Sequence, residues 1–180
     1  MWRVPFFNPL QRWYYEETVN VVERHMKAYS VTRDGVVCPP TAPPEQQEQS
    51  FHLNAQKVEG CEAMVAILDY LGVDLVVQKQ RTTEEGVALP EMDYIPIMLP
   101  DSGTVWEMGA AYIIGKPVIG LLVTPAKLNL MLARGTVSTA GSLKELDEQL
   151  GMIVPVLNNV EEYAKVVVEL KSKQWEGEIV

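Results

Sequence analysis

The sequence predicts an α/β fold: a flavodoxin-like or Rossmann-like sandwich around a central, mostly parallel five-stranded sheet. Three observations lead there. Two uninterrupted apolar runs, "AMVAILD" (63–69) and "PVIGLLV" (117–123), have the length and composition of strands buried on both faces. Segments with helical caps fall between the strand-like runs, so strands and helices alternate. The chain of 180 residues is 47% hydrophobic and 22% charged, which supports one sizeable core and suits a single domain, 1–180, rather than two.

Taken in order, Trp2 to Phe7 is a short apolar start that reads as a strand. In "NPLQRWYYEETVNVVERHMKAY", Asn8 is placed to cap, Pro9 suits the first helical position, and Leu10, Trp13, Tyr14, Glu17 and Val21 mark one helix face. "DGVVCPP" reads as a short strand closed by prolines, and "TAPPEQQEQ" as a polar loop opening a second helix that runs to about Gly60. After "AMVAILD", the segment from Tyr70 to Pro100 breaks the rhythm. Strand-like "VDLVVQK" and "YIPIMLP" flank the polar "QRTTEEG", as in a hairpin excursion or a lid. The next helix is expected to end with Gly115 in a left-handed conformation, just before "PVIGLLV". "LNLMLARG" reads as a short helix and "GTVSTA" as an edge strand. "SLKELDEQL" is a helix capped by Ser142 with Glu145 three residues later, and "NNVEEYAKVVVELKSK" is the last long helix. Ligands of such sheets sit beyond the carboxyl ends of the strands, where Asp69 and Asp101 fall.

Composition narrows the function. A formal charge of −9 and a pI near 4.7 disfavour binding to nucleic acid or to anionic membranes, both of which need clustered Lys and Arg. Cys38 and Cys61 show no C-x-x-C spacing, and His25 and His52 are the sole histidines, so neither a disulfide framework nor a metal site is expected. No cofactor is called for. The start "MWRVPFFNPL" lacks the basic end and long apolar run of a signal peptide, and no stretch reaches transmembrane length, which makes a cytoplasmic location the expectation.

The segment "DSGTVWEMGAAYIIGKPVIG" (101–120) places one carboxylate, Glu107, within an apolar or small run from Val105 to Gly115. Burying an ionised group costs free energy unless something pairs with it. Thr104-Val105-Trp106-Glu107 fits the T-x-x-E capping box, which accounts for Glu107 as a local device about as well as a functional reading does. On the functional reading, a strand end, a Gly-containing turn and a helix N-terminus gather Asp101, Ser102 and Glu107 around one crevice. Paired carboxylates in such a place serve glycosidic chemistry, one attacking the anomeric carbon while another group handles the proton of the leaving group. Contact with Trp106 and Met108 would raise the pKa of Glu107 and the helix N–H groups would lower it; a nucleophile needs the second effect to win.

These residues carry a resemblance. "DSGTVWEMGAAYIIGKPVIGLLV" resembles the D-x-G-T-x-x-E-x-G-x-A…G-K-P-V signature of the nucleoside 2-deoxyribosyltransferase family, and "CEAMVAILD" is similar to its central strand. "LNLM" (128–131), "WEGEIV" (175–180) and "PFFNPLQ" (5–11) resemble flanking segments of the same family. The resemblance implies that Glu107 is a nucleophile forming a covalent deoxyribosyl intermediate, transferred to a second base with net retention. Asp101 would hold sugar hydroxyls or assist proton movement, Gly103 would lie against the substrate, and Phe7 would pack on the nucleoside. Asn129 and the carboxylate of Val180 would reach the 5′-hydroxyl in a neighbouring subunit's site, so a homo-oligomer (dimer, tetramer or hexamer) with shared sites is implied. Three departures stand out. Asn54 falls where the family has a base-contacting Asp, Pro5 replaces a glycine after a shortened first strand that lacks the usual Tyr, and Val180 replaces an aromatic residue. Tyr112 or another group would then orient Glu107. Read without the resemblance, Phe7, Trp13 and Met131 count chiefly as core, Asn54 as a helix-end partner and Asn129 as a helix cap.

The leading expectation is therefore base exchange on 2′-deoxynucleosides, with deoxynucleoside and free nucleobase as partners. Hydrolysis of deoxynucleoside 5′-monophosphates is the nearest rival, and Glu176, Glu178 and a terminal carboxylate would repel its phosphate. A non-catalytic nucleoside- or nucleotide-binding module is the third, and it has no need for both Asp101 and Glu107.

Overall fold

The computed structural model describes residues 9–35, 38, 41–69, 75–82, 88–95, 102–123 and 130–174. In chain order its elements are α1 (Pro9–Glu23), α2 (Val31–Asp34), α3 (Pro44–Gly60), β1 (Met64–Ile67), β2 (Leu75–Thr82), β3 (Ala88–Ile95), α4 (Ser102–Ile113), β4 (Val118–Leu121), α5 (Leu130–Gly135), β5 (Ser138–Ala140), α6 (Leu143–Ile153) and α7 (Val160–Gln174). A 3-10 turn, Val154–Val156, joins the last two helices.

Three described strands form a parallel sheet in the order β1-β4-β5, with Val65 beside Ile119 and Ile119 beside Ser138. The other two expected strands, at 2–7 and near 36–39, fall largely outside the described residues. β4 is the middle strand of the three and all four of its residues are buried. Side chains alternate across a strand. Ile119 and Leu121 accordingly pack with Val21 of α1, with Leu146, Leu150 and Ile153 of α6, and with Leu170 of α7. Val118 faces the other way, with Ala66, Leu68, Met108 and Ala111 of β1 and α4. The layers are helix, sheet, helix, as the two apolar runs require.

Gly120 is glycine because its neighbours leave no room. A Cβ there would stand 2.7 Å from Leu68 Cδ1 and 3.3 Å from Thr136 Cγ2, and both residues are almost fully buried. The polar strand β5 is tolerated in the core because its groups are paired: Ser138 Oγ donates to Gln149 Oε1 at 2.7 Å, and Gln149 Nε2 donates to the Thr139 carbonyl at 3.2 Å.

The helix ends follow their sequence signals. Gly115 takes φ 75°, its N–H donates to Tyr112 O, and Lys116 N–H donates to Ala111 O, which is the Schellman pattern. Ser142 caps α6 by accepting from Glu145 N at 3.1 Å. The Glu145 carboxylate reaches back one residue further than a capping box has it, to Gly141 N.

Two expectations shift. The 70–100 excursion contains an antiparallel hairpin, β2 with β3, registered from Leu75–Ile95 to Thr82–Ala88. Its second described strand begins six residues before "YIPIMLP", of which Tyr94 and Ile95 belong to β3 and 96–100 lie outside the described residues. Trp13 and Met131, expected as core, are 52% and 78% exposed. On α1 the inward stripe is Tyr14, Thr18 and Val21, and on α5 it is Leu132 that packs inward.

α1 is clipped to α6 where His25 Nε2 meets Asp147 Oδ1 at 2.7 Å and Arg24 reaches Oδ2 at 3.3 Å. The hydrogen bond from His25, with the Arg24 charge adding to it, holds the Asp147 carboxyl below its usual range. A lowered folded-state pKa stabilises above the unfolded value and ceases to do so as the pH falls through the folded one. The Tm difference between wild type and Asp147→Asn is therefore expected to be present at pH 6 and to vanish well below about pH 4. Gly120→Val is expected to destabilise the chain by about 1–3 kcal/mol in urea unfolding. Gly109→Ala, at a helix position where a Cβ meets nothing within 4 Å, is expected to stabilise it by up to about 1 kcal/mol.

Candidate functional site

The carboxyl edge of the sheet is tied together by one side chain. β1 runs out at Leu68, whose N–H still pairs with Leu121 O at 2.8 Å, and the next residue, Asp69, accepts from Val123 N at 2.6 Å through Oδ2. The ends of β1 and β4 are thus held side by side where an α/β sheet opens its ligand crevice. From α1, the buried Tyr14 hydroxyl approaches the same carboxylate without forming a hydrogen bond of ordinary geometry among the described residues. Burial, and then the Asp69 charge, raise the Tyr14 phenol above its usual pKa, so it stays protonated as a potential donor.

Glu107 lies in the second turn of α4 and is half-buried. The helix begins at Ser102, which makes Thr104 its third residue rather than its cap. The capping-box reading of Thr104 and Glu107 is corrected accordingly, since the box needs Glu107 at the third helical position and it stands at the sixth. Met108 and Ala111 turn into the core and fix the rotation of α4 about its axis, leaving Glu107 at the margin between core and solvent.

α3 supplies the wall beside it. Phe51 and the Trp106 ring meet at 5.0 Å with an interplanar angle of 52°, and Val58 packs on the cluster that holds Met108. Asn54, one turn from each and half-buried, lies on the side of α3 toward α4. Its amide offers both donors and an acceptor, unlike a carboxylate.

A third element comes from the segment between α1 and α2. The Tyr29 hydroxyl is buried and has no hydrogen-bond partner among the described residues. Its ring lies under Lys57 of α3, with Nζ 5.0 Å from the centroid. Burial raises the Tyr29 phenol first, followed by the charges of Asp34 and Glu107, so the phenol stands within electrostatic reach of the Glu107 carboxylate.

The structure thus places Glu107 on α4 within electrostatic reach of Tyr29, and Asn54 on the neighbouring helix, with Gly103 exposed in the first turn of α4. Phe7, Asp101, Asn129 and Val180 lie outside the described residues. Tyr112 does not orient Glu107. It follows five residues later, roughly 140° around the helix, and is 62% exposed. Tyr29 was not singled out from the sequence, where a lone tyrosine after a helix carries no periodic signal. Among the described residues no three His, Cys, Asp or Glu side chains gather as a metal site would need.

No protein-family model matches the chain, and no curated protein matches it. Among solved structures, the 2-deoxyribosyltransferase of the psychrotolerant bacterium Bacillus psychrosaccharolyticus is similar in fold, with a TM-score of 0.57 over 79% of this chain and 85% of that one, at 19% identity.

Asp69→Ala is expected to cost about 1 kcal/mol in chemical denaturation by freeing the Val123 N–H, whereas Asp69→Asn, which keeps an acceptor, is expected to lose less. Equal losses would show that the bond does not tie the strands.

Proposed function

We propose that the chain exchanges bases on 2′-deoxynucleosides, passing the 2-deoxyribosyl group through a covalent intermediate on Glu107. The observation that carries this reading is a half-buried carboxylate, within a D-x-G-T-x-x-E run, on a helix leaving the carboxyl side of a sheet whose fold is similar to a 2-deoxyribosyltransferase.

A Glu107 carboxylate oxygen attacks C1′ as the C1′–N bond breaks, and the departing base nitrogen takes the bond's electron pair and a proton. The nitrogen of a second base then attacks C1′ from the other face as the C1′–O bond to Glu107 breaks, its N–H proton passing to the group that protonated the first base, and Glu107 returns to carboxylate with net retention. Asp101 holds the sugar hydroxyls or moves the proton, Gly103 lets the backbone approach the sugar, and Phe7 packs on the nucleoside. The Asn54 amide contacts the base, and because it both donates and accepts it suits either purines or pyrimidines. Tyr29 is the positioning residue. Its buried phenol has no hydrogen-bond partner among the described residues and feels the Glu107 charge, and on this proposal it would donate to Glu107 once substrate fills the site and so set the attacking oxygen. No cofactor enters these steps.

Sharing of sites between subunits belongs to the same proposal, with Asn129 and Val180 of one subunit reaching the 5′-hydroxyl in the next. It is supported by the apolar surface of α3 and α4, where Phe51, Tyr112 and Ile113 are 51%, 62% and 83% exposed.

Incubation with deoxyadenosine and free cytosine is expected to yield deoxycytidine, and Glu107→Ala to lower the rate about a thousandfold or more. Full activity in that variant would end the proposal. Tyr29→Phe is expected to lower kcat about 10- to 100-fold with KM little changed, the kinetic equivalent of one hydrogen bond to a charged group. An effect on KM alone would make Tyr29 part of the binding wall instead. In sedimentation, Ile113→Asp is expected to shift an oligomer to monomer and to lose exchange with it.

A further inference from the structure

We propose that Arg33 is a positioning residue, stapling the segment between α1 and α2 so that the Tyr29 phenol is held where a reaction at Glu107 can use it, a role that rests on the exchange reading above. The Arg33 fork binds Asp34 through two bonds, Nε to Oδ1 at 2.9 Å and Nη2 to Oδ2 at 3.0 Å, and Nη1 crosses to Glu23 Oε1 at the end of α1 at 2.7 Å. Nη2 also donates to the Ala28 carbonyl at 3.0 Å, and the Asp34 carboxylate accepts from the Ser30 N–H at 2.9 Å. The residues on either side of Tyr29 are thus tied to the same Arg33–Asp34 pair.

The simplest account of this cluster is a surface ion pair that joins two helix ends. Arg33, Glu23 and Asp34 are 44%, 41% and 33% exposed, and pairs so placed stabilise a fold little. What the network fixes argues for more. Glu23, Arg33 and Asp34 would join α1 to α2 without touching the chain between them, yet they also hold the main chain at Ala28 and at Ser30, which leaves Tyr29 little freedom to swing. A planar guanidinium suits the task, because it serves two carboxylates and a carbonyl at once in one fixed plane.

Tyr29 needs such a hold. Its hydroxyl is buried and has no hydrogen-bond partner among the described residues, a state that disfavours the fold and that a surface loop escapes by turning the phenol out to water. The ring is backed by α3, with Lys57 Nζ 5.0 Å from its centroid, but a contact of that kind at an exposed lysine is weak. The staple supplies the rest. It is anchored in turn, since the end of α1 is fastened to Asp147 of α6 by Arg24 and His25. Held in this way, the phenol stays within electrostatic reach of Glu107.

The test labels the full-length chain with carbon-13 at tyrosine Cζ and assigns the Tyr29 signal by its loss in Tyr29→Phe. Glu107→Gln is expected to move the Tyr29 titration to lower pH, because a carboxylate that disfavours the phenolate is gone. In an Arg33→Met background the same change is expected to leave that titration in place, and in Arg33→Lys, which keeps the charge without the fork, to move it by an intermediate amount. Should Arg33→Met fail to fold, Asp34→Asn, which loosens both the fork and the hold on Ser30, is expected to diminish the response in the same direction. In the exchange assay Arg33→Met is expected to lower kcat about tenfold with KM little changed, and to lower it no further when Tyr29→Phe is already present. A Tyr29 titration that ignores Glu107→Gln, one that responds equally with and without Arg33, a wild-type kcat in Arg33→Met, or losses that multiply in the double variant overturn the proposal. A wild type without exchange activity ends the exchange reading, and the titrations then decide by themselves whether Arg33 holds Tyr29 to Glu107.

Discussion

The packing of β4 against helices on both faces is the constraint on which the rest of the structure depends. A four-residue strand with every side chain buried must present apolar groups in both directions, and "VIGL" does so with a glycine where Leu68 and Thr136 crowd in. The backbone ladder sets the distance between β1 and β4, and Asp69 closes their carboxyl ends together. The helix preceding β4 is held in turn by Met108 and Ala111, which bury 97% or more of themselves in the same core. Glu107 is carried on that helix next to residues that cannot rotate away, so its position is a consequence of core packing.

This explains how one carboxylate can sit beside apolar neighbours without being a capping device. The helix starts two residues before Thr104, and its N-terminal donors lie a turn away from Glu107. The phenol of Tyr29, whose ring lies under Lys57 of α3, is within electrostatic reach of Glu107. A buried hydroxyl with no partner among the described residues, as at Tyr29, is a donor that a ligand or a reacting group can engage.

Much of the fold was legible because it rests on local chemistry. The two apolar runs, the left-handed Gly115 and the Ser142 cap each follow from a few adjacent residues. The register of the β2–β3 hairpin was not, since the pairing of Leu75 with Ile95 and of Thr82 with Ala88 joins residues far apart in sequence and leaves no periodic trace in either segment alone. Trp13 misled for another reason: an aromatic residue one position off the inward stripe of a helix looks like core and is not. For the candidate site, Glu107, Gly103 and Asn54 came from spacing and resemblance, and the helices that carry them, α3 and α4, adjoin at Phe51 and Trp106. The Phe51–Trp106 contact and the approach of Tyr29 bring together residues 55 and 78 positions apart, which no periodicity in a single sequence encodes.

A similar fold at 19% identity leaves the chemistry to the side chains, and of these Glu107 bears the central claim. The most direct measurement is peptide mapping by mass spectrometry after brief incubation with a deoxynucleoside donor and rapid denaturation. One deoxyribosyl group on the peptide containing Glu107, discharged when a free base is added, is the expected result. Base exchange proceeding with no adduct there, or with the adduct on another residue, would contradict the account.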